Sequence, residues 1–265
     1  MRSNMSDASA LLQVRGLTRR FGGLLAVSGL DMSVFPGEIL GLIGPNGAGK
    51  STTFSMMAGA IEPSAGDIYF QGESLSGVPT HAFAARGIVR TFQHNKPFES
   101  MSIQENVMVG MHTQVPLSMW QVVLGTAKAK AHEKHARAQA LHWIDFVGLG
   151  EYAQADVRTL SFGQGRLLEI ARGLAAQPKL MLFDEPAAGL TATECIRLAD
   201  IIRGIAAQGI AVLLIEHDMP FLMALAQRVV VLNFGEKIAE GSPTQVQADP
   251  AVVNAYLGQV KVDHA

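Results

Sequence analysis

Three short stretches of this chain combine residue types and spacings suited to phosphate chemistry. Gly44-Pro45-Asn46-Gly47-Ala48-Gly49-Lys50-Ser51, followed by Thr52, fits the pattern of a phosphate-binding loop. Its glycines let the backbone curl so that successive N–H groups point at a β-phosphate. Lys50 adds positive charge toward the β- and γ-phosphates, and the Ser51 hydroxyl can ligate Mg2+. The second stretch, Leu180-Met181-Leu182-Phe183-Asp184-Glu185, reads as an apolar strand ending in two acids. Open α/β sheets bind ligands at such strand ends. Asp184 would hold Mg2+, directly or through water. Glu185, one residue on and pointing elsewhere, would polarise an attacking water. The third is Leu160-Ser161-Phe162-Gly163-Gln164-Gly165. Ser161 as N-cap with Gln164 three residues later fits a capping box. The free hydroxyl and bare glycine at a helix start also suit an anion. Two anion grips for one nucleotide suggest that one of them serves a nucleotide on another copy.

These residues need elements to hold them, and the hydrophobic pattern supplies candidates. Gln13 to Phe21 reads as a strand. Leu30, Met32 and Val34 then alternate with Asp31, Ser33 and Phe35 as a half-buried strand does, and Pro36-Gly37 turns the chain. Residues 39–43 form a short apolar strand running into the glycine loop, and a helix follows from about Gly49 to Ala58, its positive dipole end toward the anion. Residues 66–71 are strand, Pro79-Thr80 opens a short helix ending at Gly87, and 88–92 are strand again. The runs 180–183, 211–215 and 229–232 are continuously apolar, as parallel strands buried on both faces are. From about Asn95 to Asp156 the pattern is helical. Trp120, Val123, Leu124 and Ala127 share a face, and Leu141, Ile144, Phe146 and Val147 pack, while Lys128, Lys130, Glu133, Lys134 and Arg137 make a solvated face. His132 and His135 sit there without an evident third metal ligand. A helical insert thus splits an α/β domain.

Composition narrows the class. The 265 residues suffice for one large domain, and a net charge of -2 argues against nucleic acid as the main partner. Hydrophobic residues at 48% against 17% charged are apolar for a soluble chain and hint at a docking surface. Cys195 is the single cysteine, so no internal disulfide forms and a reducing cytoplasm fits. No apolar run approaches a membrane span, and polar residues 1–10 lack the apolar core of a signal peptide.

The order of these motifs resembles that of the nucleotide-binding subunits of ABC transporters, over nearly the whole chain. The resemblance implies a P-loop NTPase (RecA-like) α/β core, an N-terminal antiparallel β subdomain and an inserted α-helical subdomain. It divides the chain into a loose tail at 1–9 and one domain at 10–260. That domain has its core at 10–94 and 159–260 and the helical subdomain at 95–158. In that family two subunits pair head to tail, and the phosphate loop of one closes over ATP with the LSGGQ-like block of the other. Carried over, Ser161, Gly163 and Gln164 would touch the partner's ATP, although Phe162 and Gly165 depart from the commoner residues. Phe21, in Arg20-Phe21-Gly22-Gly23, matches the aromatic that stacks on adenine. Gln93, in Arg90-Thr91-Phe92-Gln93, matches the glutamine that senses Mg2+ and the lytic water, and His217 the histidine that contacts the γ-phosphate. Catalysis would then rest on Glu185, His217, Gln93 and Lys50, ATP binding on Phe21, residues 44–52 and the 161–164 block, and Mg2+ on Ser51, Gln93 and Asp184. Thr191 stands where the family commonly places an interface aspartate, and with Glu194 it could simply cap the next helix.

Further stretches are similar to the ATPases of branched-chain amino acid importers. They are Arg20-Phe21-Gly22-Gly23, Gly87 to Gln93, Leu168-Glu169-Ile170-Ala171-Arg172, Pro186-Ala187-Ala188-Gly189-Leu190 and Ala255-Tyr256-Leu257-Gly258. Related importers of urea, short amides and aromatic acids share these markers. The implied partners are a second ATP-binding subunit, membrane permeases and, indirectly, a substrate-binding protein. The implied place is the cytoplasmic face of the inner membrane, held there by the permease. Soluble ABC ATPases are the other class to weigh. Those of translation carry two cassettes per chain, and those of repair carry coiled coils or zinc cysteines. Neither feature is present here.

Overall fold

The computed structural model describes residues 10–91, 97–111 and 127–260. Its centre is a six-stranded sheet in the order β10-β9-β3-β8-β7-β6. The strands are β3 (Ile39–Ile43), β6 (Ile88–Arg90), β7 (Leu180–Asp184), β8 (Ala211–Ile215), β9 (Arg228–Asn233) and β10 (Glu236–Gly241). All neighbours are parallel except the β9/β10 hairpin. A four-stranded antiparallel sheet, order β2-β1-β4-β5, lies beside it. It is built from β1 (Leu12–Phe21), β2 (Leu24–Val34), β4 (Ala65–Phe70) and β5 (Glu73–Ser74).

Side-chain alternation shows why the runs at 180–183, 211–215 and 229–232 carry no polar positions. Leu180, Leu182, Leu213 and Val230 face the antiparallel sheet, packing with Leu12, Leu17, Leu30, Met32 and Phe54. Met181, Phe183, Leu214 and Val231 face the opposite layer, packing with Leu168, Ile170, Leu198 and Ile202. Both faces are covered, so an apolar residue is favoured at every position.

The helices are α1 (Lys50–Met57), α2 (His81–Arg86), α3 (Ile103–Val109), α4 (Ala127–Phe146), α5 (Phe162–Ala175), α6 (Ala192–Ala207), α7 (Met219–Leu225), α8 (Pro243–Ala248) and α9 (Pro250–Val260). Among the described residues, the expected helical stretch from about Asn95 to Asp156 holds α3, α4 and the 3-10 turn Gly150–Tyr152, with a second 3-10 turn, Val157–Thr159, just after it. Ile103, Val107, Trp143, Ile144 and Val147 join the same core as Leu167, Ile170 and Leu174 of α5. Leu141 corrects the sequence reading, since it is 37% exposed. Ala140, Trp143 and Ile144 turn inward in its place, because they occupy the α4 face that meets α3 and α5. The face assigned to Trp120, Val123, Leu124 and Ala127 lies outside the described residues and side chains. Among the described residues no helix is long and apolar enough to cross a membrane.

The strand order has one consequence for chemistry. β3, β8 and β7 are neighbours, with Leu42 opposite Ile215 and Ile215 opposite Asp184. The loops that follow residues 43, 184 and 215 therefore emerge side by side at one edge of the sheet.

Candidate functional site

The first of these loops runs from Gly44 into α1. Its glycines are required by packing as well as by the anion. A Cβ at Gly44 would lie 2.2 Å from the Leu232 carbonyl oxygen, and one at Gly49 2.4 Å from that of Ala26. Gly49 is the N-cap of α1, left-handed at φ 97°, with no side chain capping the helix start. The N–H groups there are left for an incoming anion. The buried Lys50 ammonium donates to the carbonyls of Gly44, at 2.6 Å, and Pro45, at 3.0 Å. It is thereby held across the loop's mouth. Burial pulls its pKa below 10.5, and the negative charge of Glu185 works in the other direction. Ser51 is exposed and Thr52 partly so, while Asn46 and Gly47 form the exposed crest.

Asp184, at the end of β7, is 3% exposed. Its Oδ2 accepts from the Arg90 guanidinium at 3.0 Å, and that guanidinium lies 4.9 Å from the centre of the Phe54 ring of α1. Oδ1 is buried with no hydrogen-bond partner among the described residues. An oriented, unsatisfied carboxylate oxygen of this kind fits a hard divalent cation, which prefers oxygen ligands. Burial pushes the Asp184 carboxyl above its ordinary value, and Arg90 pulls it back.

Glu185 is left-handed at φ 49°, a conformation that costs a non-glycine residue about 1–3 kcal/mol. Its N–H donates to the Ile215 carbonyl at 2.9 Å, so the sheet pairing carries into the turn and supports the strain. The turn aims the carboxylate away from Asp184 and onto His217, whose Nε2 lies 2.8 Å from Glu185 Oε1. A carboxylate and an imidazole thus meet at the end of the sheet, both partly open to solvent. Gln93, the remaining candidate for catalysis and metal binding, lies outside the described residues.

The block at 160–165 forms the capping box read from its sequence. Ser161 Oγ accepts from Gln164 N–H at 3.2 Å and Gln164 Oε1 from Ser161 N–H at 2.9 Å. The Thr191–Glu194 box at the start of α6 is also present. The two helix starts abut, since a Cβ at Gly163 would lie 2.1 Å from Glu194 Oε1 and one at Gly189 3.1 Å from the Phe162 ring. Phe162 itself is 60% exposed and presents an aromatic edge outward. Phe21, 43% exposed at the end of β1, lies under the Arg19 guanidinium at 4.6 Å.

Three residues escape sequence reasoning. Arg90 carried no signal beyond its place ahead of Gln93, because its partner lies 94 residues away. Glu216 is a buried acid at the end of an apolar strand, and an unexplained charge there was the available hint. Tyr256 of α9 buries its hydroxyl without a full hydrogen bond; burial raises its pKa, and the approaching Gly44 N–H lowers it.

Comparison with known proteins agrees with this geometry. The family model described as ABC transporter matches residues 27–188. The model described as branched-chain amino acid ATP-binding cassette transporter matches residues 236–261. The chain is 40% identical over 250 residues to the high-affinity branched-chain amino acid transport ATP-binding protein BraF of Pseudomonas aeruginosa, covering 94% of this chain and 98% of that protein. It is 34% identical, with the same coverage, to the lipopolysaccharide export system ATP-binding protein LptB of Escherichia coli. Among solved structures it is similar to the ADP conformation of MJ1267, an ATP-binding cassette of an ABC transporter. The TM-score is 0.80 at 28% identity, covering 94% of this chain and 99% of that one.

Proposed function

The chain belongs to the ABC transporter family of ATP-binding cassettes, and we propose that it is the ATP-hydrolysing subunit of an importer for branched-chain amino acids. The observation that carries the substrate class is the match of residues 236–261 to the branched-chain model, added to the 40% identity with BraF. The 34% identity to an export ATPase supports a cassette that does not itself read substrate.

The mechanism follows from the residues. ATP lies along the phosphate loop, with adenine against Phe21 and the β- and γ-phosphates over the N–H groups of 44–52. Lys50 exchanges its loop carbonyls for phosphate oxygens, and its charge offsets the negative charge that develops during transfer. Glu185 accepts the proton of the attacking water as oxygen bonds to the γ-phosphorus and the bond to ADP breaks. His217, already within hydrogen-bond reach of Glu185, steadies that carboxylate and meets the γ-phosphate. Mg2+, held by Ser51, Asp184 and Gln93, would supply charge neutralisation on the phosphates. Arg90 keeps one Asp184 oxygen fixed and leaves the other for the cation.

Ser161, Gly163 and Gln164 complete the ATP site of a second ATP-binding subunit. Within this chain Gly163 lies against Glu194 and Phe162 against Gly189, and these contacts brace the block from behind. We divide the chain into a core at 10–94 and 159–260 and a helical part at 95–158, which docks a membrane permease at the cytoplasmic face. The shared core of α3, α4 and α5 would pass motion of the 160–165 block into that part. The test is uptake of labelled leucine by cells whose own copy of this gene is deleted. Restoration by the wild-type chain but not by Glu185→Gln supports the reading. Undiminished leucine uptake in the deletion strain contradicts the substrate assignment.

A further inference from the structure

Glu216 has no role in the chemistry above, yet it sits between its two halves. It follows β8 directly and is 3% exposed. One carboxylate oxygen, Oε1, accepts the N–H of Ala187 at 2.7 Å, in the loop that follows Glu185. The other, Oε2, accepts the N–H of His217 at 3.2 Å. Burial raises its pKa, while the N–H groups of Ala187, His217 and Asp218 favour the charge. A buried acid held, among the described residues, by backbone N–H groups of two catalytic loops is a costly choice for packing alone.

The two loops need such a tie. Glu185 is left-handed, and Pro186–Ala188 must continue from that strained residue. Ala188 N–H returns to the Glu185 carbonyl at 3.2 Å and Leu190 N–H to the Ala187 carbonyl at 3.1 Å, both bonds within the loop itself. His217, on the other loop, is mostly solvated, and its contact with Glu185 is through the ring. The β7–β8 pairing ends with the Glu185 N–H bond to the Ile215 carbonyl, ahead of both side chains.

We infer that Glu216 is a positioning residue for hydrolysis: its two oxygens clamp the loop after Glu185 to the loop of His217, so that base and histidine reach the γ-phosphate in one fixed arrangement. The inference rests on the assignment of Glu185 and His217 to catalysis. Two positions then couple through one side chain. Movement of the 186–190 loop, which leads to Thr191 and the α5–α6 junction, is transmitted to His217 through the carboxylate as well as through the Glu185 N–H bond to the Ile215 carbonyl.

The test uses the full-length chain with steady-state ATP hydrolysis, affinity for a fluorescent ATP analogue, and amide hydrogen exchange. Glu216→Ala releases both loops and should lower kcat on the order of 10- to 100-fold, the scale of a misplacement near 1 Å. Affinity for the analogue should hold, because the phosphate loop is untouched. Amides of the 185–190 and 216–218 segments should exchange faster while those of 40–52 do not. Glu216→Gln keeps the shape and one acceptor, so it should fold and show a smaller fall in kcat. Wild-type kcat in a folded Glu216→Gln and Glu216→Ala overturns the inference. So does a parallel loss of kcat and nucleotide affinity, which marks a purely structural role. Should Glu216→Ala not fold, wild-type kcat in Glu216→Gln alone overturns it. Wild-type and Glu185→Gln proteins run alongside. If the wild type does not hydrolyse ATP, or Glu185→Gln does, the catalytic assignment fails rather than the clamp.

Discussion

Arg90→Met isolates the ion pair that orients the Asp184 carboxylate. Methionine keeps an apolar stem on the Phe54 ring and removes the guanidinium that donates to Asp184 Oδ2 at 3.0 Å. The Asp184 carboxylate, already missing a partner at Oδ1, would then be buried with neither oxygen paired. Breaking a fully buried pair from one side costs about 3–5 kcal/mol. Arg90 is 27% exposed while Asp184 is 3% exposed, so water screens one end of this pair. We therefore expect a loss of about 2–3 kcal/mol. For a chain of this size that lowers Tm by about 4–12 °C. The assay is thermal unfolding in metal-free buffer, run as a double-mutant cycle with Asp184→Asn. In the Asp184→Asn background the buried charge is gone, so Arg90→Met should cost less by at least about 1 kcal/mol. Arg90→Lys should recover only part of the loss, because an ammonium lacks the planar fork. Strict additivity of Arg90→Met and Asp184→Asn would refute the pairing argument.

Three further outcomes follow from the same geometry. Ser161→Arg should abolish hydrolysis while leaving ATP affinity at residues 44–52 intact, as read by titration with a fluorescent analogue; collapse of affinity would mean that the block serves its own chain. Gly44→Ala should abolish nucleotide binding, because its Cβ would sit 2.2 Å from the Leu232 carbonyl oxygen, and a folded variant that binds ATP normally would contradict that packing. The Arg158 side chain and N–H hold Asp156 ionised down to about 2, below its ordinary 3.8. Because the folded value is the lower one, its contribution to stability is present above pH 3.8 and is lost as pH falls toward 2. A carboxyl 13C NMR titration with a midpoint at the ordinary value would contradict the contact.

What the sequence made legible was local. Capping boxes at Ser161 and Thr191 span four residues each, and both form as read. The glycine loop and the apolar strand before Asp184 carry their function in short spacings. The continuous apolar runs of β7, β8 and β9 foretold burial on both faces, and the two cores on either side of the sheet explain them. Contacts made by topology were invisible. Arg90 reaches Asp184 only because β6 pairs with β7, and Glu216 reaches Ala187 only because β8 lies beside β7. The left-handed turn at Glu185 gave no signal either, since a glutamate rarely marks one. Leu141 misled because an apolar residue on a long helix was taken to face inward, whereas the packing of α3 and α5 selects Ala140, Trp143 and Ile144.

The pairing of two chains through residues 160–165 is tested most directly by the mass of Glu185→Gln in saturating Mg·ATP, measured by analytical ultracentrifugation. Removing the general base stops hydrolysis and keeps every group that binds ATP, so ATP should persist and hold two chains together. A stable dimer with ATP that dissociates in ADP is the expected result. A folded variant that binds ATP and sediments as a monomer would contradict the composite site.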